Sequence, residues 1–207
     1  DLAWRLFTNM NEIALTRGVV GGLPENLDAY PHPRESAPRL TGTYLQGWSN
    51  AEQLRVWYQG FLGIQPDLER DVIRLAPRLP GSIGNVTFKA RIGTGVLHAA
   101  YEPCDRGRRY TWRLQGQSAR LDLDIAPFER RSFSVAAGDT LTVEQTADSL
   151  VVRHIGAGGS EREAVTVTLA PLRREQQARL DAILSGTEFA KPGVATAHPA
   201  LRQSRTP

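Results

Sequence analysis

The chain of 207 residues has one cysteine and two lysines, and the first scarcity removes a class of site while the second sets the character of the charge. With Cys104 alone, an internal disulfide and a cysteine-built metal site are both excluded. The histidines His32, His98, His154 and His198 are scattered without metal-ligand spacing, so no metal is expected. Lysine occurs only at Lys89 and Lys191, so arginine carries nearly all the positive charge: 25 basic residues against 22 acidic give a net charge of +3 and a pI near 9.3. That excess is spread along the sequence, whereas a nucleic-acid face needs it clustered, and nucleic acid is not an expected partner. No apolar run approaches the roughly 18 residues of a membrane helix. No Ser/His/Asp elbow, P-loop or dinucleotide fingerprint occurs, and no cofactor is expected. There is no signal-like segment and no initiator Met. The sequence opens inside a helical pattern at Asp1-Leu2-Ala3-Trp4, which reads as part of a longer, cytoplasmic polypeptide.

What is present falls into two halves of different period. Leu6, Phe7, Met10, Ile13 and Ala14 recur at three- and four-residue spacing, the stripe of an amphipathic helix over 2–17, with Gly18 as its stop. From Val19 to Gly47 no period holds, and glycines and prolines, including Pro31-His32-Pro33, predict a long ordered loop rather than a strand. Leu23, Leu27, Tyr30, Leu40, Tyr44 and Leu45 are its expected anchors. Ser49-Asn50-Ala51-Glu52 fits a capping box opening a second helix, which makes Glu52 structural. Leu54, Trp57, Tyr58 and Phe61 are its expected buried face and Gly63 its terminator.

Residues 64–80 read as an extended connector with one short strand, Val72 to Leu75, and a domain boundary is expected near Pro77–Gly81. The period then becomes two: Val86, Phe88, Ala90 and Ile92 alternate with Thr87, Lys89 and Arg91. Further strands are predicted from Gly95 and at 109–115, 119–125, 131–135, 140–145, 149–155 and 164–169, the pattern of an antiparallel β-sandwich. Asp122 and Asp124 read as a solvent-facing edge, and Arg106, Arg108 and Arg109 as solvated turn residues. A short helix over 172–185 and an aperiodic tail from Thr187 follow.

An ordered set of motifs then narrows the reading: Gly22-Leu23-Pro24-Glu25; Gln46-Gly47-Trp48-Ser49-Asn50-Ala51-Glu52; Phe61-Leu62-Gly63-Ile64-Gln65-Pro66-Asp67; and Leu75-Ala76-Pro77-Arg78-Leu79-Pro80. In order and spacing this set resembles the C-terminal end of amylo-α-1,6-glucosidases, the glucosidase part of glycogen debranching enzymes and their bacterial and archaeal relatives. Gly47 stands where that family commonly has Ala, and the loop from Ala29 to Pro38 has no counterpart in its pattern. The resemblance implies an α+β chain: residues 1–77 as the last helices of an (α/α)₆ barrel, 78–171 as an antiparallel β-sandwich, and 172–207 as a short helix and tail. It implies an inverting glycoside hydrolase whose substrate is an α-glucan or oligosaccharide. The N-terminal remainder of the same polypeptide is then its partner.

Glycoside hydrolysis needs two carboxyl groups flanking the scissile bond, and inversion holds them roughly 6.5–9.5 Å apart to admit a water. The resemblance makes Glu25 the general base. Its setting agrees, because Pro24 and the preceding glycines restrict the backbone that carries the carboxylate. Read without the resemblance, Glu25 is a solvated loop glutamate, and Asp28 and Glu35 compete for the base role. Gln46 and Trp48 are expected to wall the glucose pocket by amide hydrogen bonds and indole stacking, with Tyr44 and Asn26 as further contacts. Trp48 reads equally as a core aromatic at a helix entry. The general acid lies upstream in the family's pattern, so the 207 residues alone are expected to be inactive. The alternatives are a related (α/α)₆ hydrolase acting on another glycoside, and a non-catalytic carbohydrate-binding or scaffold module.

Overall fold

A computed structural model describes residues 2–28, 30–36, 38–105, 107–169 and 171–184. The protein is a mixed α+β chain in which residues 1–168 make one compact unit and 169–207 a second. In the first unit, α1 (Leu2–Thr16) leads into two paired dipeptides, β1 (Asn26–Leu27) and β2 (Leu40–Thr41). Next comes α2 (Gly47–Arg55), which widens into a π-helical turn over Val56–Phe61. Ten strands follow: β3 (Ile64–Asp67), β4 (Val72–Leu75), β5 (Val86–Ile92), β6 (Gly95–Cys104), β7 (Gly107–Gln115), β8 (Ala119–Leu123), β9 (Arg131–Val135), β10 (Thr140–Thr146), β11 (Ser149–Ile155) and β12 (Glu161–Thr168). Of the second unit, the described helix is α3 (Pro171–Leu184), where Gln177 donates to Asp181 one turn on at 2.8 Å. The tail from Thr187 lies outside the described residues.

The strands form a six-stranded sheet, ordered β12-β11-β10-β7-β6-β5, and a four-stranded one, ordered β3-β4-β8-β9. Every pairing is antiparallel except β4 with β8. This matches the expected antiparallel sandwich, and the period-2 alternation explains it. In β7, Tyr110, Trp112 and Leu114 are buried while Arg109, Arg113 and Gln115 face water. Leu121 and Leu123 of β8, Phe133 and Val135 of β9, and Leu141 and Val143 of β10 repeat that pattern.

The segment read as a connector is half of the smaller sheet. Pro66 does not prevent this, because β3 is an edge strand and needs no N–H there. β4 lies before the expected boundary near Pro77–Gly81 and pairs with β8 beyond it. Asp122 and Asp124 do not mark an edge either. β8 runs between β4 and β9, Asp122 accepts from Arg120 and Ser132, and Asp124, just past the strand, takes Arg74 and Arg130. Arg109 pairs with Glu144, and Arg108 is buried, donating to the carbonyls of Pro80, Ile83 and Gly84. A guanidinium satisfies several main-chain acceptors at once, which a solvated turn arginine would not do.

Aromatic rings join the helices to the sheet. Trp4, Phe7, Trp57 and Phe61 form one cluster, with Phe7–Phe61 centroids 5.1 Å apart. Tyr58, one residue from Trp57, meets Phe88 of β5 edge-on, and Phe88 continues to Tyr101, Tyr110 and Trp112. The Trp112 indole donates to the Tyr101 hydroxyl at 3.0 Å, and that hydroxyl donates to the Leu62 carbonyl at 2.8 Å. Gly63 adopts φ +73°, and a Cβ there would collide with the Ala76 main chain, so the helix stops where the sequence places its terminator.

Candidate functional site

The expected pocket residues all lie on the hairpin between α1 and α2 or at the first residues of α2. Residues 23–28 run antiparallel to 39–46: beyond the β1–β2 pair, Glu25 N donates to Thr43 O (2.8 Å), Asp28 N to Arg39 O (3.0 Å) and Gln46 N to Leu23 O (2.8 Å). The loop expected without strands is therefore a short ladder. Glycines and prolines suppress the period in its sequence, yet its main-chain groups still need partners and find them across the hairpin. Of the expected anchors only Leu23 is buried; Tyr30 is 82% exposed and Tyr44 61%.

Asn50 locks the base of the hairpin. Its Oδ1 accepts from Leu23 N at 3.0 Å and its Nδ2 donates to the Gln46 carbonyl at 2.8 Å. This replaces the expected capping box. The N-cap is Gln46, without a side-chain cap, and Ser49 already lies inside α2. Glu52 pairs with Arg55 instead of reaching back to the main chain. Because Asn50 holds Gln46 and Leu23 together, the helix starts earlier than a Ser49 cap would allow. The expected buried face holds only in part: Phe61 is buried and Trp57 half-buried, but Leu54 is 60% exposed and Tyr58 lies on the surface.

Glu25 is exposed, on the strand-like segment after the buried Pro24. One carboxylate oxygen, Oε2, accepts from Thr43 N (3.2 Å) and Thr43 Oγ1 (3.3 Å), and no described residue donates to Oε1. The side chain lies over Gly42, where a Cβ would fall 2.6 Å from Oε2. Gly42 has φ +72°, a left-handed backbone that glycine adopts freely. The seat is thus made by a residue type, and a residue, that the sequence pattern did not single out. The rivals differ. Glu35 is ion-paired with Arg39 (Nε–Oε1 2.8 Å), and that hydrogen bond, opposed by slight desolvation, holds its carboxyl below the usual range. Asp28 is half-buried at the far end of the ladder.

Asn26 is exposed and pairs with Thr41 in the β1–β2 bridge. Gln46 is half-buried, engaged through both its main-chain N and O. Trp48 is 64% exposed rather than a core aromatic. It lines an apolar groove of about 450 Å³ with Met10, Ser49, Glu52, Gln53 and Val56, and Glu25 is not among that groove's walls. So one hairpin carries Glu25, Asn26, Tyr44 and Gln46, with Trp48 just beyond, but no hydrogen bond joins Glu25 to the other four.

Among the described residues there is no His/Cys/Asp/Glu cluster that could hold a metal. His154 is buried and its Nε2 lies 2.9 Å from Asp139, which also takes Ala136 N, Ala157 N and Arg162. His198 and Arg106 lie outside the described residues. No described helix is long and apolar enough to cross a membrane. No protein-family model, curated protein or solved structure matches the chain.

Proposed function

We propose that the chain is the C-terminal part of an inverting α-1,6-glucosidase that hydrolyses branch-point glucose in glycogen or related α-glucans. Glu25 is the general base and the general acid lies outside these 207 residues. The observation that carries the reading is the Glu25 carboxylate: exposed, held by Thr43 on one oxygen, and open to a water on the other. A base anchored in this way keeps its orientation without ordering cost at each turnover. In the reaction the open oxygen removes a proton from water as that water attacks the anomeric carbon. The acid protonates the departing glycosidic oxygen.

The toroid-barrel assignment of α1 and α2 belongs to the same proposal. Its support is the exposed apolar surface of these two helices and the turn that follows, Leu6, Met10, Trp48, Leu54 and Val56, which neighbouring barrel helices would cover. Gln46 and Trp48, with Tyr44 and Asn26, wall the sugar pocket once that neighbour is in place. The enzyme works on cytoplasmic glucan.

The experiment is glucose release from a 6-O-α-glucosyl maltooligosaccharide by the full-length parent protein, wild type against Glu25→Gln. The expected loss is about 10²–10⁴-fold with binding retained, the usual contribution of acid–base assistance. Near-normal turnover by the variant moves the base to Asp28 or Glu35. A wild type inactive on every α-glucoside overturns the hydrolase reading, and the 207 residues alone are expected to release no glucose.

A further inference from the structure

The outer face of the six-stranded sheet gathers charge that is dispersed in the sequence. Lys89 of β5 stands directly opposite His98 of β6, which stands opposite Arg113 of β7, which stands opposite Thr140 of β10. One step along, Arg91 lies in the row of Val96 and Gln115. These residues alternate with the buried Ile92, Leu97, Trp112 and Leu114 and so project away from the core. His98 Nε2 lies 3.1 Å from Gln115 Oε1, joining the two rows.

Most other described cations have a partner. Arg39, Arg55, Arg70, Arg74, Arg109, Arg120, Arg130, Arg131, Arg153 and Arg162 each face a carboxylate, and Arg17, Arg78 and Arg108 donate to carbonyls. Lys89, Arg91 and Arg113 have no such partner among the described residues. The nearest carboxylates on this face of β5, β6, β7 and β10 are Glu102 and Glu144, four residues along their strands, about 13 Å away at strand rise. Lys89 and Arg91 are alternate residues of β5 and Arg113 stands two strands from Lys89, so three like charges share one face of the sheet without standing directly opposite one another.

We propose that Lys89, Arg91 and Arg113, with His98 and Gln115 between them, form a site for a phosphomonoester group carried on an α-glucan. Adjacent strands lie about 4.8 Å apart and alternate residues about 6.6 Å along, so the main-chain positions of the three cations lie within about 12 Å of one another, inside the reach of their long side chains. Such a patch suits a single group of charge near −2 better than a ladder of singly charged diesters. No exposed aromatic lies in the two rows, so the stacking platform of a single-strand nucleic-acid site is missing. The Thr140 hydroxyl and the Gln115 amide add hydrogen-bonding groups at the border. The phosphate half of the inference rests on the patch itself; the glucan half rests on the proposed function.

The test is titration of the full chain with glucose 6-phosphate and with glucose, followed by nuclear magnetic resonance at low salt. Retention on phosphorylated and phosphatase-treated dextrin follows. Glucose 6-phosphate is expected to shift the signals of β5, β6 and β7 while glucose does not. The triple variant Lys89→Gln/Arg91→Gln/Arg113→Gln, folded by the same spectra, should bind roughly tenfold more weakly, the combined loss of three exposed charge contacts. Phosphorylated dextrin should be retained longer than the treated polymer by the wild type only. Equal retention of both dextrins, an unaffected triple variant, or capture of a phosphopeptide but not phosphodextrin overturns the proposal. Failure of the glucosidase reading looks different: the parent releases no glucose while glucose 6-phosphate still shifts the patch.

Discussion

The two ends of the first unit treat their apolar side chains in opposite ways. From β5 to β12 the large ones find partners within the chain: Leu97, Tyr101, Trp112, Leu114 and Leu141 are all 0% exposed. In α1, α2 and the π-helical turn the same amphipathic spacing leaves Leu6, Met10, Leu54 and Val56 at the surface and buries only Phe7, Ala14 and Phe61. A period therefore tells which residues share a face and nothing about whether that face is covered. Sheets cover theirs by folding strands onto each other; two helices and a hairpin cannot enclose a core.

The sharpest way to break the comparison is at its buried extreme. Trp112→Ala removes a fully buried indole stacked on Tyr110 at 6° and takes away the N–H that the Tyr101 hydroxyl accepts. It should cost about 3–5 kcal/mol in denaturant unfolding; a loss no larger than that of a surface change would show the sandwich core to be loosely packed.

Next comes the ionic node of the sheet end. Burial alone would raise the pKa of Asp139, but the hydrogen bond from His154, the Ala157 and Ala136 N–H groups and the charge of Arg162 outweigh it and hold the carboxyl below its ordinary value. A depressed carboxyl contributes stability that is complete above the unfolded pKa and disappears as pH falls through the folded one. Stability should thus be flat near neutrality and fall below about pH 4, near the ordinary Asp value. Asp139→Asn should cost about 2 kcal/mol at neutral pH by leaving buried donors short of an acceptor, and should flatten the acid limb of the unfolding profile. A variant with the wild-type acid limb would assign that limb to another carboxylate, Asp124 among them.

Gly42→Ala tests the hairpin itself. The φ of +72° makes the substitution cost about 1 kcal/mol. Its Cβ also displaces Glu25, so glucose release by the parent should fall far more than thermal stability does. Equal losses would mean that Glu25 has no special seat.

The smallest effect belongs to the uncovered face: Trp48→Ala should change the unfolding free energy of the chain by no more than about 0.5 kcal/mol. A large loss there would mean the groove with Met10 and Val56 is a covered core after all.

These contrasts explain what the sequence could tell. The strands from Val86 onward were legible because one buried face alternates cleanly with one wet face, as in Tyr110, Trp112 and Leu114. β3 was not, because its four residues include Pro66 and its identity as a strand comes from pairing with β4. Likewise, Ser49 looked like a cap because capping is read locally, whereas Asn50 reaches 27 residues back to Leu23. Glu25 was visible through a motif; its clamp by Thr43 and its bed on Gly42 were not, since both come from across a hairpin whose register the sequence does not state. The Lys89–His98–Arg113 row was hidden for the same reason, its members being neighbours only after β5, β6 and β7 pair.

The relay from Trp112 through the Tyr101 hydroxyl to the Leu62 carbonyl gives the molecule an internal gauge. Desolvation pushes the Tyr101 phenol far above its ordinary pKa, so the relay keeps its proton through any working pH. The indole at one end sits in the sheet core, and the carbonyl at the other belongs to Leu62, whose N–H closes the π-helical turn on Trp57 O. The environment of the Trp112 indole thus registers, from inside the sandwich, whether the end of that helical turn is seated on the sheet.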